Sequence, residues 1–308
     1  MAMACGDALG APYEFGPQLA PDHPVGMVGG GDMGWAPGEW TDDTSMAVVI
    51  LQAAEAAQAA GRPLTDHLDD VARGWADWAR TAPDVGIQTK HVLAAAERSA
   101  PITAATATAA ATDLHNRTGR SGGSGSLMRT APVALTYLHN EPGMVHAAHT
   151  ISAMTHHDPD AGDACVLWCA AVRHAVLTGE LDARRGLDLL DPAARTTWAA
   201  RLDDAERRTP ADFERNGWVV EALQAAWSAV SSLADDVAPS ARLRLALEAA
   251  VRGGRDADTV AAIAGALLGA VWGASAIPAE WVDVVHGWPG GMRVAELGDR
   301  GLALAQGA

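Results

Sequence analysis

Two short acidic clusters carry most of the chemistry legible in this chain. Thr41-Asp42-Asp43 sits in the run Trp40-Thr41-Asp42-Asp43-Thr44, and Asp256-Ala257-Asp258-Thr259 lies far down the chain, directly before a long uncharged stretch. Their carboxylates and hydroxyls are hard oxygen donors, suited to Mg²⁺ or Mn²⁺ rather than to zinc or copper. Brought together by the fold, they would make a site for two metal ions, which points to chemistry on an oxygen-rich, phosphate-bearing substrate. The plain alternative for either cluster alone is helix capping, since aspartates at a helix start accept from free backbone N–H groups and complement the dipole. Neighbouring aspartates repel one another unless a cation lies between them, and that favours metal.

Four further segments offer candidate site residues. Glu14 follows Gly6-Asp7-Ala8-Leu9-Gly10-Ala11-Pro12-Tyr13 and precedes Phe15. A carboxylate among aromatic rings is a candidate for a raised pKa and acid–base work, with a solvated loop glutamate as the bland alternative. Asp84 lies in the turn Pro83-Asp84-Val85-Gly86, where a helix N-cap is the default reading. Ser121-Gly122-Gly123-Ser124-Gly125-Ser126-Leu127-Met128-Arg129 combines small residues with a following helix, a nest of N–H groups suited to a diphosphate. It has neither the Gly-Lys-Ser/Thr of a Walker loop nor the preceding strand of a dinucleotide fingerprint, and a flexible linker has the same composition. In Thr155-His156-His157-Asp158-Pro159, a histidine–aspartate phosphohydrolase would need a further His and Asp at set distances. The preferred reading has His156 touching a ligand and Asp158 capping a helix that begins at Pro159.

The elements that must position these residues read as helices. Alanine dominates the apolar fraction, and only two Phe and two Tyr occur. Alanine loses no side-chain entropy on entering a helix. Apolar spacing predicts helices over 2–9, after Thr41, and over 65–80, 86–99, 102–114, 128–138, 142–154, 159–178 and 182–190. Further helices are expected over 192–207, 217–232, 243–253, 259–274 and 292–304. No stretch alternates with strand period, and no segment reads as an interdomain linker or repeat. The expectation is one all-α domain covering residues 1–308.

Composition excludes several classes. A net charge of −16 argues against a general nucleic-acid binder, whose phosphate contacts need a basic face. The uncharged segment 259–279 is long enough to span a bilayer, but it is mostly Ala and Gly and begins at a carboxylate pair, so a buried central helix is expected. The N-terminal residues lack a basic head and an apolar core of signal type. Cys5, Cys165 and Cys169 read as inert buried thiols, as expected of a reducing cytoplasm. The tryptophans at 75, 78 and 168 fall at spacings of core or groove walls.

Taken in order, these segments resemble the ADP-ribosylglycohydrolase family. The resemblance rests on Gly6-Asp7-Ala8-Leu9-Gly10 with Glu14, Trp40-Thr41-Asp42-Asp43-Thr44, Pro83-Asp84-Val85-Gly86, and Gly125-Ser126-Leu127-Met128-Arg129-Thr130-Ala131-Pro132. It continues through Thr155-His156 with Pro159 and Gly254-Arg255-Asp256-Ala257-Asp258-Thr259. The resemblance implies a compact helical fold with a two-metal cleft and removal of ADP-ribose from a modified acceptor, an N-linked arginine above others. By position, Thr41, Asp42, Asp43, Asp256, Asp258 and Thr259 would hold two Mg²⁺ or Mn²⁺ ions, and Glu14 and Asp84 would be catalytic. Gly122, Gly123, Ser124, Gly125, Ser126, Leu127 and Met128 would cradle the diphosphate, and His156 would contact the ligand. The family carries a longer apolar helix before Gly6, which implies a shortened or misassigned start here. It also carries Asn where this chain has Ser124. Two other readings stand beside the hydrolase: a non-catalytic ADP-ribose binder or structural member of the same family, and a metal-dependent nucleotide phosphohydrolase.

Overall fold

The computed structural model describes residues 1–98, 101–233 and 238–307. Its helices follow the alanine-rich pattern. They are α1 (Ala2–Gly10), α2 (Asp42–Ala59), α3 (Leu68–Ala79), α4 (Ile87–Glu97), α5 (Ala104–Thr118), α6 (Ala131–Thr136) and α7 (Glu141–Ala153). Then come α8 (Pro159–Thr178), α9 (Pro192–Ala205), α10 (Val219–Ser231), α11 (Pro239–Arg252), α12 (Ala257–Trp272), α13 (Ala279–Val284) and α14 (Val294–Gln306). Strands β1 (His286–Gly287) and β2 (Met292–Arg293) pair antiparallel, His286 opposite Arg293. Two residues are too few to show alternation, which is why the sequence gives no sign of this pair. The short α13 is likewise unforeseen. The expected segment 182–190 is a 3-10 stretch, Ala183–Leu189, rather than an α-helix. The expected helix 86–99 ends at Glu97, and its last residue, Ser99, lies outside the described residues.

The 259–279 stretch is the central helix the sequence predicts. α12 is buried along most of its length and stops at Trp272, with Gly273 left-handed at φ 72°. Among the described residues no helix is long and apolar enough to cross a membrane.

α1 runs antiparallel against α12 with backbone touching backbone. A Cβ at Gly6 would lie 2.2 Å from the Ala261 carbonyl oxygen, and one at Gly10 would lie 2.3 Å from Asp258 Cα. Only glycine permits that approach, so the two helices meet closer than side chains would otherwise allow. Neighbouring helices are pinned by indoles. Trp75 Nε1 donates to the Met46 carbonyl at 3.1 Å, tying α3 to α2, and Trp168 Nε1 donates to the Ile263 carbonyl at 2.9 Å, tying α8 to α12. Each of these rings is fully buried, a gain of roughly 4–6 kcal/mol in transfer terms before ordering costs. A principal apolar core running from α1 to α14 encloses α12, and the acidic clusters stand at one end of it.

Candidate active site

The capping explanation for the acidic clusters fails in three dimensions. Thr41 precedes α2 in an extended conformation, and its side chain makes no capping bond. The cap comes instead from α1: Asp7 Oδ1 accepts from the Thr41 amide at 2.8 Å, and Asp7 Oδ2 accepts from the Thr44 amide at 2.9 Å and the Thr44 hydroxyl at 2.6 Å. Asp256, at the start of α12, makes no capping bond either. Asp84 does not cap α4, whose N-cap is Gly86. Asp158 does cap α8, accepting from the Asp160 amide at 3.0 Å.

Released from capping, the two clusters interleave. Thr41 Oγ1 lies 3.4 Å from Asp42 Oδ1, 3.1 Å from Asp43 Oδ2 and 3.3 Å from Asp258 Oδ2. Thr259 Oγ1 lies 3.5 Å from Asp43 Oδ2. Carboxylate oxygens of Asp7, Asp43 and Asp258 fall within 4.8 Å of one another, as do those of Glu14, Asp256 and Asp258. Asp258 belongs to both groups and joins them. One hydroxyl proton on Thr41 cannot serve three carboxylates, and Asp43 Oδ1 and Asp258 Oδ1 are buried without any partner. Among the described residues no lysine or arginine forms an ion pair with any of these acids. Crowded, buried carboxylate oxygens lacking donors fit a hard divalent cation in number and chemistry.

The electrostatics agree. Burial, then Asp256, Asp84 and Asp42, push Glu14 up to about 9. Burial and the neighbouring acids raise Asp42 to about 8 and hold Asp43 and Asp258 well above the carboxylate range. Asp7 and Asp256 rise only to about 6, because hydrogen bonds from Thr44 and Thr41, and from Ser124 and Thr259, oppose their burial. Asp84, half-buried, is raised mainly by burial.

Glu14 is brought to the cluster by strained backbone. Phe15 N donates to Arg255 O at 2.6 Å and Arg255 N donates to Gly16 O at 2.8 Å. Both Phe15 (φ 59°) and Arg255 (φ 62°) adopt the left-handed conformation that residues with a Cβ seldom take. Of the two aromatic neighbours of Glu14 in sequence, neither offers it a hydrogen bond. Phe15 is exposed, and the Tyr13 hydroxyl is occupied with the Gly26 backbone.

The glycine-rich loop is stitched to the cluster. Ser124 N donates to Gly217 O at 3.0 Å, Val219 N donates to Gly122 O at 2.9 Å, and Ser124 Oγ donates to Asp256 Oδ2 at 2.9 Å. A 3-10 turn, Ser124–Ser126, follows rather than an immediate α-helix. Leu127 and Met128 are buried, and their amides return to Ser124 O. The part of the loop that is only half-buried is therefore Gly122, Gly123 and Gly125. His156 lies beneath them: a Cβ at Gly125 would meet its ring at 3.0 Å and one at Gly123 would lie 3.3 Å from its Nε2. Arg129 Nη2 donates to Thr155 Oγ1 at 2.5 Å, and that hydroxyl lies 2.8 Å from His156 Nδ1. Burial holds His156 neutral. Its Nε2 lies on the side of the glycines, and in the tautomer whose Nδ1 accepts from Thr155 that nitrogen carries the proton.

The model of one family, described as ADP-ribosylglycohydrolase, matches residues 1–308. This chain belongs to the ADP-ribosylglycohydrolase family. It is 31% identical over 297 residues to the ADP-ribosylarginine hydrolase Tri1 of Pseudomonas putida (strain GB-1), covering 92% of this chain and 72% of that protein. It is 26% identical over 292 residues to the ADP-ribosyl-[dinitrogen reductase] glycohydrolase of Rhodospirillum rubrum, covering 92% and 87%. A solved structure titled ADP-ribosylglycohydrolase-related protein complex superposes with a TM-score of 0.69 at 28% identity, covering 99% of this chain and 94% of that one. The all-α fold expected from the sequence is thus the family's fold, and the chain is one of a family of glycosyl-bond hydrolases.

Within this family frame, two residues escaped the sequence reading. Asp7 is the cap of α2 and a member of the acidic group; its signal was a lone carboxylate in an otherwise uncharged nine-residue helix. Gln88, whose Nε2 donates to Ser121 O at 2.9 Å and Thr155 O at 2.8 Å, braces the loop against the His156 segment.

Proposed function

We propose that this protein is a metal-dependent ADP-ribosylhydrolase that cleaves the bond between ribose C1″ and an acceptor, an arginine side chain of an ADP-ribosylated protein, and releases ADP-ribose. The observation that carries this reading is the interleaving of Thr41, Asp42 and Asp43 with Asp256, Asp258 and Thr259 around buried oxygens that lack donors. These six residues would hold two divalent ions, Mg²⁺ or Mn²⁺. When bound, such ions supply Lewis-acid stabilisation of developing charge and orient ribose hydroxyls and a water. Asp7 keeps Thr41 and Thr44 in register for that task. The Gly122–Gly125 loop and the Nε2–H of His156 receive the diphosphate.

Glu14 and Asp84 handle the protons. The C1″–N bond breaks, its electron pair leaves with the guanidine, and the water oxygen forms the new bond to C1″. The proton lost by that water passes through a carboxylate to the departing guanidine, which ends as guanidinium. An arginine adduct is already cationic, so its departure demands less acid assistance than that of an alkoxide. Arginine is favoured because two relatives are named for ADP-ribosylarginine hydrolysis and because Asp84 faces the cluster uncommitted to a cap.

The test is incubation of the full chain, with Mg²⁺ or Mn²⁺, with arginine- and serine-ADP-ribosylated proteins. Free ADP-ribose is expected from the arginine adduct; release from neither by folded, metal-loaded protein overturns the assignment.

A further inference from the structure

A cavity of about 260 Å³ opens beside the cluster and shares Thr41 and Asp42 with it, and no residue of the glycine-rich loop lines it. Four indoles line it: Trp35, Trp40, Trp78 and Trp288. Trp35, Trp40 and Trp78 are buried and Trp288 is half-buried. The wall carrying Trp288 is fixed by the β1 segment, where Trp40 N donates to His286 O and His286 N to Gly38 O, each at 2.9 Å. Trp40 Nε1 also donates to Trp288 O at 3.2 Å.

The charged lining is all of one sign. Glu39, Asp42 and Asp84 face this space, and neither lysine nor arginine does. Glu39 is held by the Ala36 amide at 2.8 Å. His286 gives its Nδ1 proton to the Val284 carbonyl at 2.9 Å, which leaves Nε2 as an acceptor in the neutral ring. A phosphate would meet three carboxylates here and no cation. A neutral hydroxylic side chain would use neither the aromatic faces nor the charge. A guanidinium uses both: it is planar, weakly hydrated and cationic, stacks on indole faces and presents N–H groups in its plane to carboxylates and imidazole nitrogen.

We infer that this pocket receives the guanidinium and side-chain stem of the ADP-ribosylated arginine, with Trp78 and Trp288 as aromatic walls and Glu39 and Asp84 as charge partners. The inference rests on the hydrolase reading and adds the face by which the acceptor enters and the residues that select it. ADP-ribose then lies on the loop side of the acidic cluster and the acceptor on the tryptophan side, with C1″ between them.

Two measurements test it on the full chain. In the first, N-methylguanidinium is titrated into metal-loaded protein and followed by ligand-observed NMR, with methylammonium as the compact-cation control. Preferential binding of the guanidinium, weakened about tenfold in both Trp288→Ala and Glu39→Gln, is expected; equal binding by wild type and both variants overturns the pocket. In the second, the ratio of kcat/KM for arginine-linked over serine-linked substrate is compared. Both variants should lower that ratio about tenfold through KM for the arginine substrate. An unchanged ratio overturns the pocket while leaving the hydrolase reading intact. Absence of ADP-ribose release from every substrate overturns the hydrolase reading, and the titration then decides the pocket alone. Thermal melts of each variant check that the fold persists.

Discussion

Carboxylates at the surface of this protein and carboxylates at its acidic cluster live under opposite rules. On the surface, Asp77 takes Nη1 of Arg80 at 2.6 Å, and Asp113 takes Nε of Arg117 at 2.9 Å. At the cluster, Glu14, Asp42, Asp43, Asp256 and Asp258 crowd together with no such partner among the described residues. The buried Arg129 is the mirror case. Among the described residues it has no carboxylate within ion-pair distance; it lies 3.9 Å over the Trp75 ring and leaves its Nε unsatisfied. The contrast shows where the fold has given up stability. Surface pairs are worth little and are easily made, whereas uncompensated buried charge is costly and persists where a ligand relieves it.

The sharpest way to break this contrast is Asp258→Asn. It removes the carboxylate common to both acidic groups, and divalent-ion binding by calorimetry and ADP-ribose release should each fall more than about 100-fold. In chelator near pH 7 the same variant should melt above wild type, because the Asp258 carboxyl is buried only by keeping a proton that the unfolded chain gives up, and an asparagine needs none. Wild-type metal binding in this variant would erase the distinction between the two regions. Next in size is Asp7→Asn, which weakens the brace on Thr41 and Thr44; metal affinity should drop about 10- to 100-fold with the fold retained by circular dichroism.

The pH dependence of the metal-free protein sharpens the comparison further. A carboxyl raised in the folded state keeps its proton after the unfolded chain has lost it, so the folded state binds more protons and stability falls as pH rises. The fall starts near pH 4, the ordinary carboxylate value. It continues through the ionisation of Asp42, pushed up to about 8, and of Glu14, pushed up to about 9. In EDTA the melting temperature should therefore be lower at about pH 8 than at about pH 5; saturating Mn²⁺ should reverse the trend, because deprotonated ligands bind metal more tightly. The smallest effect belongs to the surface: Arg80→Ala, which breaks exposed pairs with Asp77 and Glu97, should move the midpoint of a urea titration least of all these changes.

What the sequence reveals depends on whether a residue's role is local. The helix 159–178 is legible at both ends because Asp158 caps it, Pro159 takes its first position and Gly179 closes it left-handed at φ 76°. The acidic clusters stand out because Asp and Thr are unusual beside such apolar helices. Asp7 was opaque because its partners lie on α2, across the fold, and nothing near it in the chain announces them. Asp84 reads as a cap by its neighbours and is released from that duty only by the way α4 begins. The turn of Leu127 and Met128 into the core depends on Ser124 meeting Gly217, a contact between distant segments. The tryptophan-lined cavity draws on residues from Trp35 to Gly291, so periodicity within any one helix could not disclose it.

The close seat of Gly10 on Asp258 has a consequence for the order of biosynthesis. A ribosome delivers α1 and the first acidic cluster early, while Asp256 and Asp258 emerge only after most of the chain has been made. Until α12 leaves the exit tunnel, the glycine face of α1 has nothing to rest on, and the first acidic cluster stands without the Asp258 and Thr259 oxygens that interleave with it. The nascent protein thus completes its acidic centre as one of its last acts of folding, and a chain cut short before α12 carries half of that centre and none of its partner.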